Sequence, residues 1–138
     1  MKKYQHGRRG SGQKGSVMIE SAGVLLVFLL IIFGIMDWAR VMLANNFVSY
    51  AAREATRYAI VHGSSSQHPA QLSDLTSLVK GQAAGLDSSK ISVSATWSPN
   101  NSPGSTATVR VSYSFQALAP YMPSNMNLSS ASSMVIAQ

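Results

Sequence analysis

The hydrophobic pattern changes twice along the chain, and its first stretch is apolar on every side. Val17 to Met36 covers twenty residues and carries one charge, Glu20. At 1.5 Å per residue, a helix of that length spans about 30 Å, the thickness of a bilayer core. A soluble domain of this size does not need so uniformly apolar a helix. Residues 16–36 are therefore predicted to form a transmembrane helix.

The helical pattern continues beyond the membrane segment but acquires two faces. Over residues 37–62 apolar positions recur at spacings of four and three, and Asp37 and Arg40 stand at the i,i+3 spacing of an ion pair. Gly34 lies at the junction, where it would permit a bend. We predict an amphipathic extension of the helix with one packing face: Ala44, Val48, Ala51, Ala55 and Tyr58. This face would pack on the protein's own C-terminal domain or, alternatively, dock neighbouring subunits.

A short second helix is predicted after a flexible serine-rich break. Pro69 suits the first position of a helix, and apolar residues at helical spacing mark one face as far as Gly85. Leu72, Leu75, Val79 and Ala83 form that face.

The period then shortens to two, which predicts strands. Ile91 to Trp97 and Ala107 to Phe115 alternate between apolar and polar residues, and the residues between them are rich in Pro, Asn, Ser and Gly. This pattern is typical of an antiparallel hairpin. Residues 128–136 are predicted to add a third strand. The fold class is therefore α+β, with a long helix packed on a small antiparallel sheet and one short extra helix, pilin-like in outline. Residues 63–138 would form the small extracytoplasmic α+β domain.

The net charge of +6 comes almost entirely from the N-terminus. Five of the eleven Lys and Arg residues precede residue 16, with no acid among them, whereas six bases face five acids from Ser16 onward. A basic flank beside an apolar helix is retained in the cytoplasm, so the C-terminus is predicted to lie outside it. A DNA-binding arm is the alternative, but no interleaved aromatics or recognition helix follow. No nucleic-acid partner is expected.

Glu20 is the informative residue of the membrane segment. A carboxylate at mid-bilayer costs roughly 3 kcal/mol, and it needs a partner or a purpose. Five residues earlier, Gly15 closes a basic, glycine-rich leader, and cutting after it would create a new amine on Ser16. Glycine leaves the backbone open to a protease. The Glu20 carboxylate could then pair with the Ser16 amine of a neighbouring subunit and set the register between helices. The alternative is an interfacial Glu near a helix N-terminus.

These features resemble a known family. A basic leader, Gly15, four residues, Glu20 and a long apolar helix are the pattern of type IV prepilins, which a membrane prepilin peptidase cuts on the cytoplasmic side. The segments Gly-Ser-Val-Met-Ile-Glu at 15–20 and Ala-Ala-Arg-Glu-Ala-Thr-Arg-Tyr-Ala at 51–59 narrow the likeness to the TadE family. Its members are minor pseudopilins of the tight-adherence (Flp, type IVc) pilus system. Ser21 departs from the pattern, since many relatives carry an aromatic residue there.

The resemblance implies a division of the chain and a set of partners. Residues 1–15 would be a leader that is removed between Gly15 and Ser16, and Glu20 would serve subunit register and assembly. The expected partners are the prepilin peptidase, other pilins and pseudopilins, the inner-membrane assembly platform and the lipid bilayer. The protein would reside in the bacterial inner membrane, and after assembly in a pilus at the cell surface.

Two other functions stay open at this point. A permanently anchored extracytoplasmic domain would bind a partner without entering a filament and would keep its leader. A secreted domain would be cut beyond Met36, although no small-x-small cleavage site closely follows the apolar run.

Other candidate sites are weak. His62 and His68 flank a serine-rich loop without the ligands of a metal site. No serine lies in a nucleophile motif, so no catalytic residue and no cofactor are expected. Two Asn-x-Ser tripeptides, at 100–102 and 127–129, are short enough to arise by chance. Four aromatic residues could form an adhesive surface, but three of them are predicted to lie in the sheet core: Trp97, Tyr113 and Phe115, with Tyr121 as the fourth.

Overall fold

The computed structural model describes residues 13–119, 121, 123 and 125–137. Helix α1 spans Gln13–Val61 and helix α2 spans Leu72–Gly81. A single 3-10 turn, Ser88–Lys90, leads into the sheet. The strands are β1, Ile91–Ser98, β2, Thr106–Phe115, and β3, Met126–Val135. The predicted α+β class is confirmed.

Helix α1 has 49 residues, so it extends for about 74 Å and has two unlike halves. Residues 15–31 are all exposed, and none of its most apolar 18-residue stretch is buried. This half is not the core helix of a soluble domain, and it is a candidate membrane span. From Asp37 onward one side of the helix is buried. The helix continues through Gly34 without interruption.

The three strands form an antiparallel meander in the order β1-β2-β3. The predicted hairpin is confirmed, with Val93 opposite Val111 and Trp97 opposite Ala107. Gly104 turns the connection with a φ of +88°, a conformation that favours glycine. The third strand is also confirmed, and its end is fastened to α1, because the amide of Ala137 donates to the carbonyl of Ile60 at 3.1 Å.

One face of the sheet carries the core. Helix α1 packs across β2 and β3, and α2 packs beside β1. The alternation of the strands therefore turns the apolar residues inward. Tyr113 and Phe115 are buried in the core as predicted, whereas Trp97 is half-buried at its edge. The opposite face of the sheet exposes mainly serine and threonine.

The predicted limits of the second helix are wrong at both ends. Helix α2 begins at Leu72 because the Asp74 carboxylate accepts the amide hydrogen of Gln71 at 3.1 Å, which caps the first turn there. Pro69 precedes that cap. The helix ends at Gly81, the residue with the weakest helical preference in it, and therefore never reaches Gly85. Leu75 and Val79 of the predicted face are buried, Ala83 is half-buried and Leu72 is exposed.

Candidate assembly and membrane site

The predicted cleavage bond lies in the first turns of α1. Gly15 and Ser16 are helical and exposed, and a Cβ added at Gly15 would meet nothing within 4 Å. The fold therefore does not require a glycine here, although a glycine inside a helix costs roughly 1 kcal/mol relative to alanine. Residues 1–12 of the predicted leader lie outside the described residues.

Glu20 projects from the exposed apolar half of α1. None of the side chains that the structure describes forms a salt bridge with it. Ser21, the departure from the prepilin pattern, donates its hydroxyl to the carbonyl of Val17 at 2.8 Å. This bond satisfies the hydroxyl within the helix, so Ser21 fits an apolar surrounding. Glu20 is therefore a carboxylate on the apolar half of α1 without an ion-pair partner among the described side chains.

The predicted packing face lies beneath the protein's own sheet. Ala44, Val48, Ala51 and Ala55 have no exposed surface and join the hydrophobic core. Tyr58 is half-buried, and its ring stacks on His62 with centroids 4.1 Å apart. The four aliphatic positions are therefore covered from within the chain and are not available to a second subunit, whereas Tyr58 keeps part of its surface exposed.

Two polar residues on α1 are buried, which their helical spacing does not predict. Thr56 is fully buried and donates its hydroxyl to the carbonyls of Ala52, at 2.7 Å, and of Ser132 in β3, at 3.2 Å. It therefore ties the helix to the sheet. A threonine inside an alanine-rich stripe was the only available signal.

Asp37 is the second of these residues, and it was recognised only as the partner of Arg40. That pair is present, with Arg40 Nη1 donating to Asp37 Oδ1 at 3.0 Å. The other oxygen, Oδ2, accepts the backbone amides of Leu118 at 2.8 Å and Ala119 at 2.7 Å. These hydrogen bonds, that from Ala119 above all, outweigh burial and lower the pKa of the carboxyl group below its usual value.

Leu118, Ala119 and Tyr121 lie in the connection between β2 and β3. Tyr121 contacts α1 closer to the N-terminus of the helix than Asp37 does. Its hydroxyl donates to the carbonyl of Leu30 at 2.6 Å. A Cβ at Gly34 would lie 2.5 Å from that hydroxyl oxygen, so glycine leaves the space for this approach. The sequence predicts only a possible bend at Gly34 and gives no indication of this contact.

Residues 15–57 match the family model described as TadE-like protein. This segment is similar to the TadE family, and it covers less than half of the chain. No curated protein and no solved structure matches the chain. The predicted resemblance to the TadE family is thus confirmed over residues 15–57.

The TadE-like segment unites the two halves of α1. It begins at Gly15, includes Glu20 and the exposed apolar half, and ends at Arg57 on the half that packs against the sheet. The sheet and α2 lie outside it. The match therefore concerns the helix, and the domain that covers its second half is described by the structure alone.

Proposed function

We propose that this protein is a minor pseudopilin that takes part in assembling a tight-adherence pilus used for surface attachment. The observation that carries the proposal is the start of the TadE-like match at Gly15, with Glu20 five residues later and a largely exposed apolar half-helix behind them. In this proposal the protein is made as a prepilin and a prepilin peptidase cuts it between Gly15 and Ser16. It acts by assembly and not as an enzyme.

The exposed half of α1 supports two successive roles. Before assembly it spans the inner membrane, with the basic N-terminus in the cytoplasm and the sheet domain outside. During assembly it leaves the lipid and packs against the helices of other pilins, delivered by the inner-membrane platform. Both environments suit a helix that is apolar on every side. Glu20 becomes tolerable in the second one when the amine of a neighbouring Ser16 pairs with it.

Processing is tested by the intact mass of the mature protein in cells that contain the peptidase. We expect the mass of residues 1–15 to be lost from the wild type and retained in Gly15→Asp. Because nothing packs against Gly15, the substitution leaves the folded domain intact. Gly10→Asp is the matched control in the same leader and should still be cut. An uncut wild-type chain would instead support a permanently anchored binding domain, and a new N-terminus beyond Met36 a secreted one.

Assembly is tested by Glu20→Ala. The variant should insert into the membrane as well as the wild type, because it removes a charge from the apolar half. It should enter pili poorly, which a co-purification of the protein with sheared filaments would measure. Glu54→Ala is the control, since Glu54 lies on the packed half, 4.0 Å from Arg57. Normal incorporation of Glu20→Ala would refute the pairing role.

A further inference from the structure

The connection between β2 and β3 reaches back beside the membrane half of α1. Asp37 holds its start through the amides of Leu118 and Ala119, and Tyr121 is hydrogen-bonded to the carbonyl of Leu30. Leu30 stands six residues before Met36, the last residue of the predicted span. At 1.5 Å per residue, the Tyr121 hydroxyl therefore contacts the helix about 9 Å inside the outer end of that span.

The span cannot shift inward along the helix to avoid this overlap. A positive charge marks its cytoplasmic end, Lys14 in the uncut chain and the amine of Ser16 in a cut one. Moving the bilayer in that direction would draw this charge into the hydrocarbon and bring Glu20 closer to its centre. Arg40, whose side chain is 44% exposed, marks the outer end in the same way. With charges at both ends of the span, Tyr121 must share the depth of the last turns of the helix.

The exposed side chains of the connection suit that depth. Leu118 is 62% exposed and Tyr121 is 54% exposed, although both are large and apolar for most of their surface. Residues 116–125 contain no charged side chain. Trp38, on the adjoining turn of α1, is 61% exposed. Aromatic side chains with a polar tip concentrate at the boundary between lipid and water.

Cations flank these apolar groups on the side of the domain. The side chain of Arg40 is 44% exposed, and its guanidinium lies 5.2 Å from the ring centre of Phe115. Lys90 reaches the base of the same connection, with its Nζ 3.2 Å from Oε1 of Gln116. Apolar side chains at the boundary with cations just above them match the order of acyl chains and phosphates in a lipid surface.

We propose that Leu118 and Tyr121, in the connection between β2 and β3, form a second membrane contact, inserted in the outer leaflet of the bilayer that α1 spans. Asp37 makes this possible, because irregular backbone near hydrocarbon must have its amides satisfied within the protein. The contact holds the sheet domain against the membrane surface in one orientation. The inference rests on the membrane insertion contained in the proposed function, but on neither processing nor assembly.

The chain contains no cysteine, so a single introduced cysteine can be labelled specifically to measure the depth of its position in the bilayer. Single cysteines in the full-length protein would carry a spin label in vesicles of phosphatidylethanolamine and phosphatidylglycerol. The collision rates with oxygen, which enters lipid, and with a nickel chelate, which stays in water, report depth. We expect the oxygen-to-nickel ratio at Leu118→Cys to exceed that at Thr96→Cys several-fold, since Thr96 is exposed on the far face of β1. Phe28→Cys is the reference inside the span.

Each other result overturns the proposal in a recognisable way. A ratio at position 118 equal to that at 96, with 28 still in lipid, places the connection in water. Low collision rates with both reagents at 118 indicate a contact with a second copy of the chain. A water-like ratio at 28 refutes membrane insertion and the proposed function with it. Gln116→Cys is the second variant, because it leaves Leu118 and Tyr121 in place, and its label should read a shallower lipid depth.

Discussion

Asp37 joins three parts of the chain through one carboxylate. Arg40 lies one helical turn away, whereas Leu118 and Ala119 are more than 80 residues further along the sequence. The sequence predicts the first of these partners because it follows from helical spacing alone. It does not predict the other two, since they depend on where β2 ends against the helix. A side chain that caps a distant turn carries no periodic signal.

The charge of Asp37 should contribute to stability in a defined pH range. Its pKa is below the ordinary 3.8 in the fold, chiefly through the bond from Ala119, so the folded chain releases this proton more readily than the unfolded one. The contribution is fully present above 3.8 and is lost as the pH falls through that value towards the lower folded pKa. In thermal unfolding, the wild type should therefore have a higher Tm than Asp37→Asn at neutral pH. The difference in Tm should become smaller as the pH is lowered.

The comparison with Asp37→Asn isolates the contribution of the Asp37 charge to stability. Asp87 also has a lowered pKa, because the hydroxyl and amide of Ser89 donate to it, and it too loses a contribution in acid. Both proteins contain Asp87, so its part cancels in the difference. A Tm difference that stays constant across the pH range would show that the charge of Asp37 does not stabilise the connection.

At the scale of elements, the sequence predicts the features that follow from the periodic spacing of apolar residues. The unbroken apolar run, the stripe from Ala44 to Tyr58 and the alternation of β1 and β2 each identify an element and its inner face. The start of α2 depends instead on one side chain, Asp74, which caps the amide of Gln71. A favourable proline nearby was the stronger local signal but the wrong one, because a cap decides where a helix begins.

The packing of α1 on the sheet depends on small side chains. Ala55 has no exposed surface, so extra methylene groups there must displace the strands. We expect Ala55→Leu to lower the free energy of unfolding of the domain by about 1–3 kcal/mol. Denaturant unfolding followed by tryptophan fluorescence would measure this. Arg53→Leu is the control, since Arg53 is exposed on the same helix and should change the stability little. Equal stability of both variants would mean that α1 and the sheet do not pack closely.

At the scale of the whole molecule, two unlike surfaces suit two different surroundings. The first half of α1 exposes apolar side chains on every side, whereas the sheet shows water a face of serine and threonine. The β2–β3 connection lies where these surfaces meet. A protein that is later withdrawn from the bilayer has to release that connection from lipid together with the helix. The proposed second contact would therefore add to the work of assembly while fixing the orientation of the waiting subunit.

The orientation of the protein in the membrane is a prediction about the whole chain. The basic N-terminal flank should stay in the cytoplasm, and the sheet domain should lie on the outer side of the inner membrane. In cells without the peptidase, Thr96→Cys should react with an impermeant maleimide in spheroplasts. Gln13→Cys should react only in inverted vesicles. Both residues are placed by the structure on opposite sides of the apolar half of α1. The reverse labelling would put the sheet domain in the cytoplasm, where it could not join a filament outside the cell.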